Sequence, residues 1–177
     1  MIFQNLIALV NENDEITGYK EKLEVHQRGL LHRAFSVFIF NSENKILLQR
    51  RALQKYHSGG LWTNTCCGHL SKGYIFKESV HNRLFEEMGF KCELEQIFNF
   101  HYCAVLNNGL IENEIDHVFM GHSDNEPLPD PSEVCEWKWA DIQEIRNDLL
   151  GDNKKYTYWF NMAFQKILNF YKIPLFT

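Results

Sequence analysis

The chain has 177 residues, 45% of them hydrophobic and 23% charged, with a formal net charge of −5. That length suits one compact domain whose core stands without staples, and the acidic balance leaves no basic footprint for nucleic acid. No apolar run reaches the roughly 18 residues of a membrane span, and "MIFQNLIALVNENDE" lacks the basic start of a signal peptide, so a cytoplasmic, reducing setting is expected.

In chain order, "NLIALVN" is a short strand ended by the polar turn "ENDEITG". "EKLEVHQRGLLH" follows as an irregular segment with two histidines. "RAFSVFIFN" and "ILLQRRA", joined by the turn "SENK", are β-branched and aromatic strands. A loop runs from Gln54 to Gly73. In "YIFKESVHNRLFEEMGF", Phe76, Val80, Leu84 and Met88 recur every fourth residue before Gly89, which predicts an amphipathic helix with a glycine C-cap. "EQIFNFHYCAVL" and "LIENEIDHVFMGH" are strands joined by the hairpin signal "NNG". After the Pro-rich loop "SDNEPLPDPSE" come the strand "VCEWKWA" and a helix capped by Asp141, with Glu144 placed for a capping box. The last helix runs through "TYWFNMAFQKILNFYK". This order predicts a single α+β domain over 1–177, core about 30–165, with a mixed sheet between helices.

Five cysteines, an odd number with no C-x-x-C, argue against a disulfide framework or zinc knuckle. Cys92, Cys103 and Cys135 are expected as small core residues. Other residues form chemically suggestive groups. Glu112 and Glu114, two apart on a strand, point to one face, where their charges repel unless a cation lies between them or one is protonated. His26, His32 and His69 lie in irregular regions, and with the two carboxylates would make an N3O2 set. The remaining five histidines, His57 among them, are expected to be structural. Arg50, Arg51 and Lys55 cluster before "TNTCCGHL", and Lys22 precedes His26, a grouping that suits phosphate oxygens.

Counting back from Gly89, the segment is similar to a Nudix box, G-x5-E-x7-R-E-U-x-E-E-x-G-U, in degenerate form. Gly68, Leu84, Glu86, Glu87, Gly89 and Phe90 fit, whereas Tyr74 replaces the first glutamate and Asn82-Arg83 the R-E pair. "GLLHRAFSVFIFN", "LLQRRA", "WTNTCCGH", "IENEIDHVF" and "EVCEWKW" together resemble, in order and spacing, the type I isopentenyl diphosphate isomerases.

The resemblance implies a Nudix-like fold and the interconversion of isopentenyl and dimethylallyl diphosphates without flavin. It implies metal ligation by His26, His32, His69, Glu112 and Glu114, the ion being Mn²⁺, Mg²⁺ or Zn²⁺. Cys67 and Glu114 would be the catalytic pair, with Tyr102 beside the glutamate. Glu87, with the Cys67 carbonyl, would hold a Mg²⁺ that arrives with the diphosphate. Lys22, Arg51 and Lys55 would bind the diphosphate and Trp159 the isoprenoid tail. Two departures stand out: His26 and His32 are only six apart, which demands a tight connection, and Leu70 replaces the usual proline. The partner is then a small molecule, with no nucleic acid or membrane, acting on a monomer or weak homodimer. A Nudix pyrophosphohydrolase and a non-catalytic Nudix-like binding module are the alternatives; the first needs the missing box residues, the second predicts loss of Cys67 or the paired glutamates.

Overall fold

A computed structural model describes residues 5–106 and 108–170. Its strands are β1 (Leu6–Val10), β2 (Ile16–Glu21), β3 (His32–Phe40), β4 (Ile46–Arg51), β5 (Trp62–Thr63), β6 (Cys66–His69), β7 (Glu95–Val105), β8 (Ile111–His122) and β9 (Val134–Ala140). Its helices are α1 (Lys22–Arg28), α2 (Phe76–Met88), α3 (Ile142–Asp152) and α4 (Tyr158–Phe170). Among the described residues the strands form one mixed sheet organised on β3. β3 runs parallel to β8 from His32↔Glu114 to Phe40↔His122. On its other side it runs antiparallel to β6, and it touches β1 and β4 at its ends. β7 extends the sheet beyond β8, and β9 beyond β4.

The near-continuous apolar run of β3 has a simple cause: both of its faces are covered. Phe35, Val37 and Ile39 pack against Val80, Leu84 and Met88 of α2. Phe38 and Phe40, on the opposite face, pack in the core that holds Phe160, Ala163, Phe164, Ile167 and Leu168 of α4. The α4 residues recur at helical spacing and form one apolar stripe. Truncating the fully buried Phe160 to alanine is expected to cost about 3–5 kcal/mol. The α+β sandwich expected from element order is the one observed.

The local differences have physical reasons. "KLEVHQR" is a helix, α1, where the sequence suggested irregular chain. It is only seven residues long, too short for a periodicity to show. Its cap is a glutamate, Glu21, whose side chain accepts from the Glu24 N–H at 3.0 Å, and Glu24 is paired with both Lys20 and Arg28. Gly29 ends α1 with φ of 60°, and a Cβ there would lie 2.9 Å from Ile111 Cγ2. That left-handed turn supplies the tight connection between His26 and His32.

β2 takes up the last three residues of the expected "ENDEITG" turn and runs on to Glu21, the first residue of the next segment, and β5 and β6 cut the long Gln54–Gly73 loop into shorter pieces. Asp141 caps α3 by accepting from the Gln143 N–H, but Glu144 bonds Lys138 instead of closing a capping box. Cys92 is half-buried and packs against the α2 core, whereas Cys103 and Cys135 are exposed and are not core residues. In β7 the buried positions are Phe100, Tyr102 and Ala104, which turns the intervening Cys103 outward. The expected ends of the last helix, Tyr171 and Lys172, and the hairpin residue Asn107 lie outside the described residues.

Candidate active site

Strand register assembles the site. His32, Ala34 and Ser36 alternate onto one face of β3. Opposite them on β6 stand His69, against Ala34, and Cys67, against Ser36. On β8, Glu114 stands against His32, and Glu112 points the same way; across the next pairing Tyr102 of β7 stands against Glu114. Cys66 alternates to the opposite face and is buried in the α2 core. The adjacent thiols therefore diverge, and only Cys67 lines the cavity.

Helix α1 brings His26 onto this face. The three imidazoles form a near-equilateral triangle, with ring centroids 4.9, 5.2 and 5.0 Å apart. His26 Nδ1 donates to the Lys22 carbonyl at 2.6 Å, and His32 Nδ1 to the Leu30 carbonyl at 2.8 Å. These bonds turn both Nε2 atoms inward as bare acceptors, the arrangement that orients histidine ligands. One ligand atom from each of His26, His32, His69, Glu112 and Glu114 lies within 4.8 Å of all the others. His26 Nε2, His32 Nε2 and Glu112 Oε2 are buried without a hydrogen-bond partner. Buried polar atoms left this way are costly unless something completes them, and a divalent cation bound by three nitrogens and two carboxylates fits the donors present.

Burial sets the protonation states. It drives His69 well below the ordinary imidazole value, helped by Lys22 and His32, so its ring is neutral and ligand-ready. Burial also depresses His26, but its contacts with Glu112 more than offset this. Burial raises Glu114, yet His32 and the Tyr102 hydroxyl, which donates to Oε2 at 2.6 Å, bring it below its usual value. Burial and the Glu87 charge push the Cys67 thiol up to about 12.

In front of this cluster opens a cavity of about 420 Å³, lined by Lys22, Arg51, Lys55, Cys67, His69, Glu87, Tyr102, Glu112, Glu114 and Trp159. All the residues expected at the site are therefore brought together, with His26 and His32 just behind the wall. The cations gather at one end. Arg51 lies 5.3 Å from the Trp159 ring centroid, and its buried Nε has no partner. Lys22 sits 5.4 Å from the Tyr56 ring, its pKa lowered by burial and then by Arg83. Lys55 is paired with Glu133. Glu87 is buried, takes a bond from Gln49 at 2.5 Å and is held up in pKa by burial against the pull of Arg83. Arg50 turns away from this end and pairs with Glu136.

Three residues were not anticipated at the site. Arg83, noted only as a departure from the box, lines the cavity and stands 2.7 Å from Glu87 and 2.6 Å from Glu133. Glu133 lies far away in sequence, and no local pattern marks it. His57, expected to be structural, is buried with Nε2 3.3 Å from Glu112 Oε1 and its ring 5.9 Å from that of Trp159. Burial pushes its pKa down to about 3, so it is neutral.

Comparison with known proteins agrees with this geometry. The NUDIX domain family matches residues 30–160. The isopentenyl-diphosphate Delta-isomerase of Pectobacterium atrosepticum is 45% identical over 166 residues, covering 94% of this chain and 93% of the relative. That of Serratia proteamaculans is 46% identical over 155 residues, covering 88% and 87%. A crystal structure of a protein from Deinococcus radiodurans superposes with a TM-score of 0.76 at 15% identity, covering 91% of this chain and 98% of that one, a likeness of fold alone. The chain thus carries a NUDIX domain and belongs to the isopentenyl-diphosphate Delta-isomerase family.

Proposed function

We propose that this chain interconverts isopentenyl diphosphate and dimethylallyl diphosphate. The observation that supports it best is that Glu114 belongs to two groups at once. Its Oε1 lies 2.8 Å from His69 and 3.2 Å from His32, within the ligand cluster, while its Oε2 accepts from Tyr102 at the cavity wall. A carboxylate so fixed can exchange a proton with a bound hydrocarbon without moving.

The reaction adds a proton at C4 of the alkene and removes one from C2. The state between them carries positive charge at the tertiary C3. Cys67 and Glu114, from strands on either side of β3, are the two proton-transfer groups, and they exchange roles between the two directions. Tyr102 donates to Glu114 and holds its orientation. A divalent cation on His26, His32, His69, Glu112 and Glu114 would fix that carboxylate and tune its basicity. The ring of Trp159 stabilises the cationic carbon, worth roughly 0.5–2 kcal/mol when desolvated. Walls closed by Tyr102 and Trp159 keep out the water that would trap it as an alcohol. Lys22, Arg51 and Lys55 bind the diphosphate, and Glu87 with the Cys67 carbonyl would hold the Mg²⁺ that accompanies it.

Arg83 occupies the position of a hydrolase box glutamate and is itself tied to Glu87, which leaves hydrolysis without that carboxylate. Among the described residues no helix is long and apolar enough to cross a membrane. We place the enzyme in the cytoplasm, acting as a single domain and as a monomer or weak homodimer.

Incubation with isopentenyl diphosphate and Mg²⁺, followed by phosphorus and proton NMR, tests the reading. Dimethylallyl diphosphate with no free phosphate is the expected product. Release of phosphate instead would make the chain a hydrolase.

A further inference from the structure

We infer that Glu133 sets how strongly diphosphate binding depends on a divalent cation, by occupying Lys55 and Arg83 as an internal anion. The inference deepens the isomerase reading and rests on it for the identity of the anion site.

Glu133 is fixed at the head of β9. Its N–H bonds the Asp130 carbonyl at 2.9 Å, and its own carbonyl accepts from Ala52, directly after Arg51, at 2.9 Å. The side chain is 21% exposed and lines the cavity. One oxygen, Oε2, accepts from both Lys55 and Arg83. Burial works against its charge, but Arg83 and Lys55 outweigh this and keep it ionised. Arg83 is also 2.7 Å from Glu87.

The charges at this end of the cavity can then be paired off. Lys55 and Arg83 are matched by Glu133 and Glu87. Lys22 and Arg51 face the cavity with no carboxylate partner among the described residues, Lys22 against the Tyr56 ring and Arg51 with its Nε unpartnered. A diphosphate ester brings more negative charge than Lys22, Arg51 and a Lys55 shared with Glu133 neutralise, and it also meets the carboxylates of Glu133 and Glu87. In a half-buried site such like-charge contacts are only weakly screened. A diphosphate that carries its own divalent cation avoids the deficit, because Glu87 and Glu133 then attract the load instead of repelling it. Glu133 thereby discriminates between the bare and the cation-loaded anion.

The probe is inorganic pyrophosphate, titrated calorimetrically into wild type and Glu133→Gln, each with Mg²⁺ and after removal of divalent ions. Glutamine keeps the shape and an acceptor for Arg83 and Lys55 but removes the charge. The variant is expected to bind the metal-free probe about tenfold more tightly than wild type, and the enhancement by Mg²⁺ to shrink by a similar factor. An unchanged enhancement, or equal weakening with and without Mg²⁺, would overturn the inference and leave Glu133 as a scaffold for the two cations. If thermal melting shows Glu133→Gln unfolded, Glu133→Asp, which retracts the charge by one methylene, decides instead; it is expected to shift the enhancement the same way by less, and no shift refutes the inference. Isomerisation by the wild type is measured separately. An inactive wild type defeats the isomerase reading, whereas the pyrophosphate ratio alone decides the role of Glu133.

Discussion

Tyr102 and Glu114 face each other across β7 and β8, and the buried phenol donates to Glu114 Oε2 at 2.6 Å. Burial and the neighbouring Glu114 charge hold the Tyr102 proton on the phenol far above its ordinary pKa. The bond therefore runs in one direction, from Tyr102 to the carboxylate. Tyr102→Phe should lower kcat by about 10–100-fold with little change in KM, and Glu114→Gln should lower it by about 10²–10⁴-fold. Steady-state kinetics on both variants checks this; equal activity of Glu114→Gln and wild type would remove the carboxylate from the chemistry.

The two adjacent cysteines should separate cleanly. Cys66 is fully buried beside α2, so Cys66→Ser places a hydroxyl in an apolar core and should cost about 1–3 kcal/mol of stability with proton transfer largely retained. Cys67→Ala should melt near wild type and lose turnover. Paired thermal melts and assays distinguish them, and a reversal of the two phenotypes would contradict the strand register.

Thiol reactivity should follow burial. With its pKa pushed up to about 12, Cys67 is ionised in only about one molecule in ten thousand at pH 8. Because burial raises this pKa, reactivity should grow about tenfold per pH unit through the alkaline range. Peptide mapping after iodoacetamide at pH 8 should find the exposed Cys103 and Cys135 labelled and Cys67 untouched. Rapid labelling of Cys67 at that pH would place it in a wetter or more positive environment than the structure gives it.

The ligand cluster should stabilise the fold when filled. A divalent ion at a hundredfold excess over its dissociation constant contributes about 2.7 kcal/mol, or roughly 5–10 °C in a domain this size. His26→Ala should abolish most of that shift, whereas exposed His101→Ala should leave it intact. A full shift in His26→Ala would remove α1 from the site.

Much of this was legible in the sequence because it depends on short-range periodicity. The alternation in "IENEI" placed Glu112 and Glu114 on one face, and the four-residue spacing in α2 found its buried stripe and Gly89 cap. What the sequence concealed depends on long-range register or on short elements. α1 is a seven-residue helix held by ion pairs, with no apolar stripe to betray it. Arg83 and Glu133 meet 50 positions apart, and only the return of β9 beside β4 brings them together. His57 looked like any isolated histidine until the fold set it against Glu112.

The most direct test of the central claim is proton exchange in D₂O. Purified protein, isopentenyl diphosphate and Mg²⁺ are followed by NMR, with Cys67→Ala in parallel. The account predicts deuterium entering the C4 methyl of dimethylallyl diphosphate in wild type and no incorporation in Cys67→Ala. Product formed without solvent deuterium, or undiminished exchange in Cys67→Ala, would contradict proton transfer through this thiol and the site built around it.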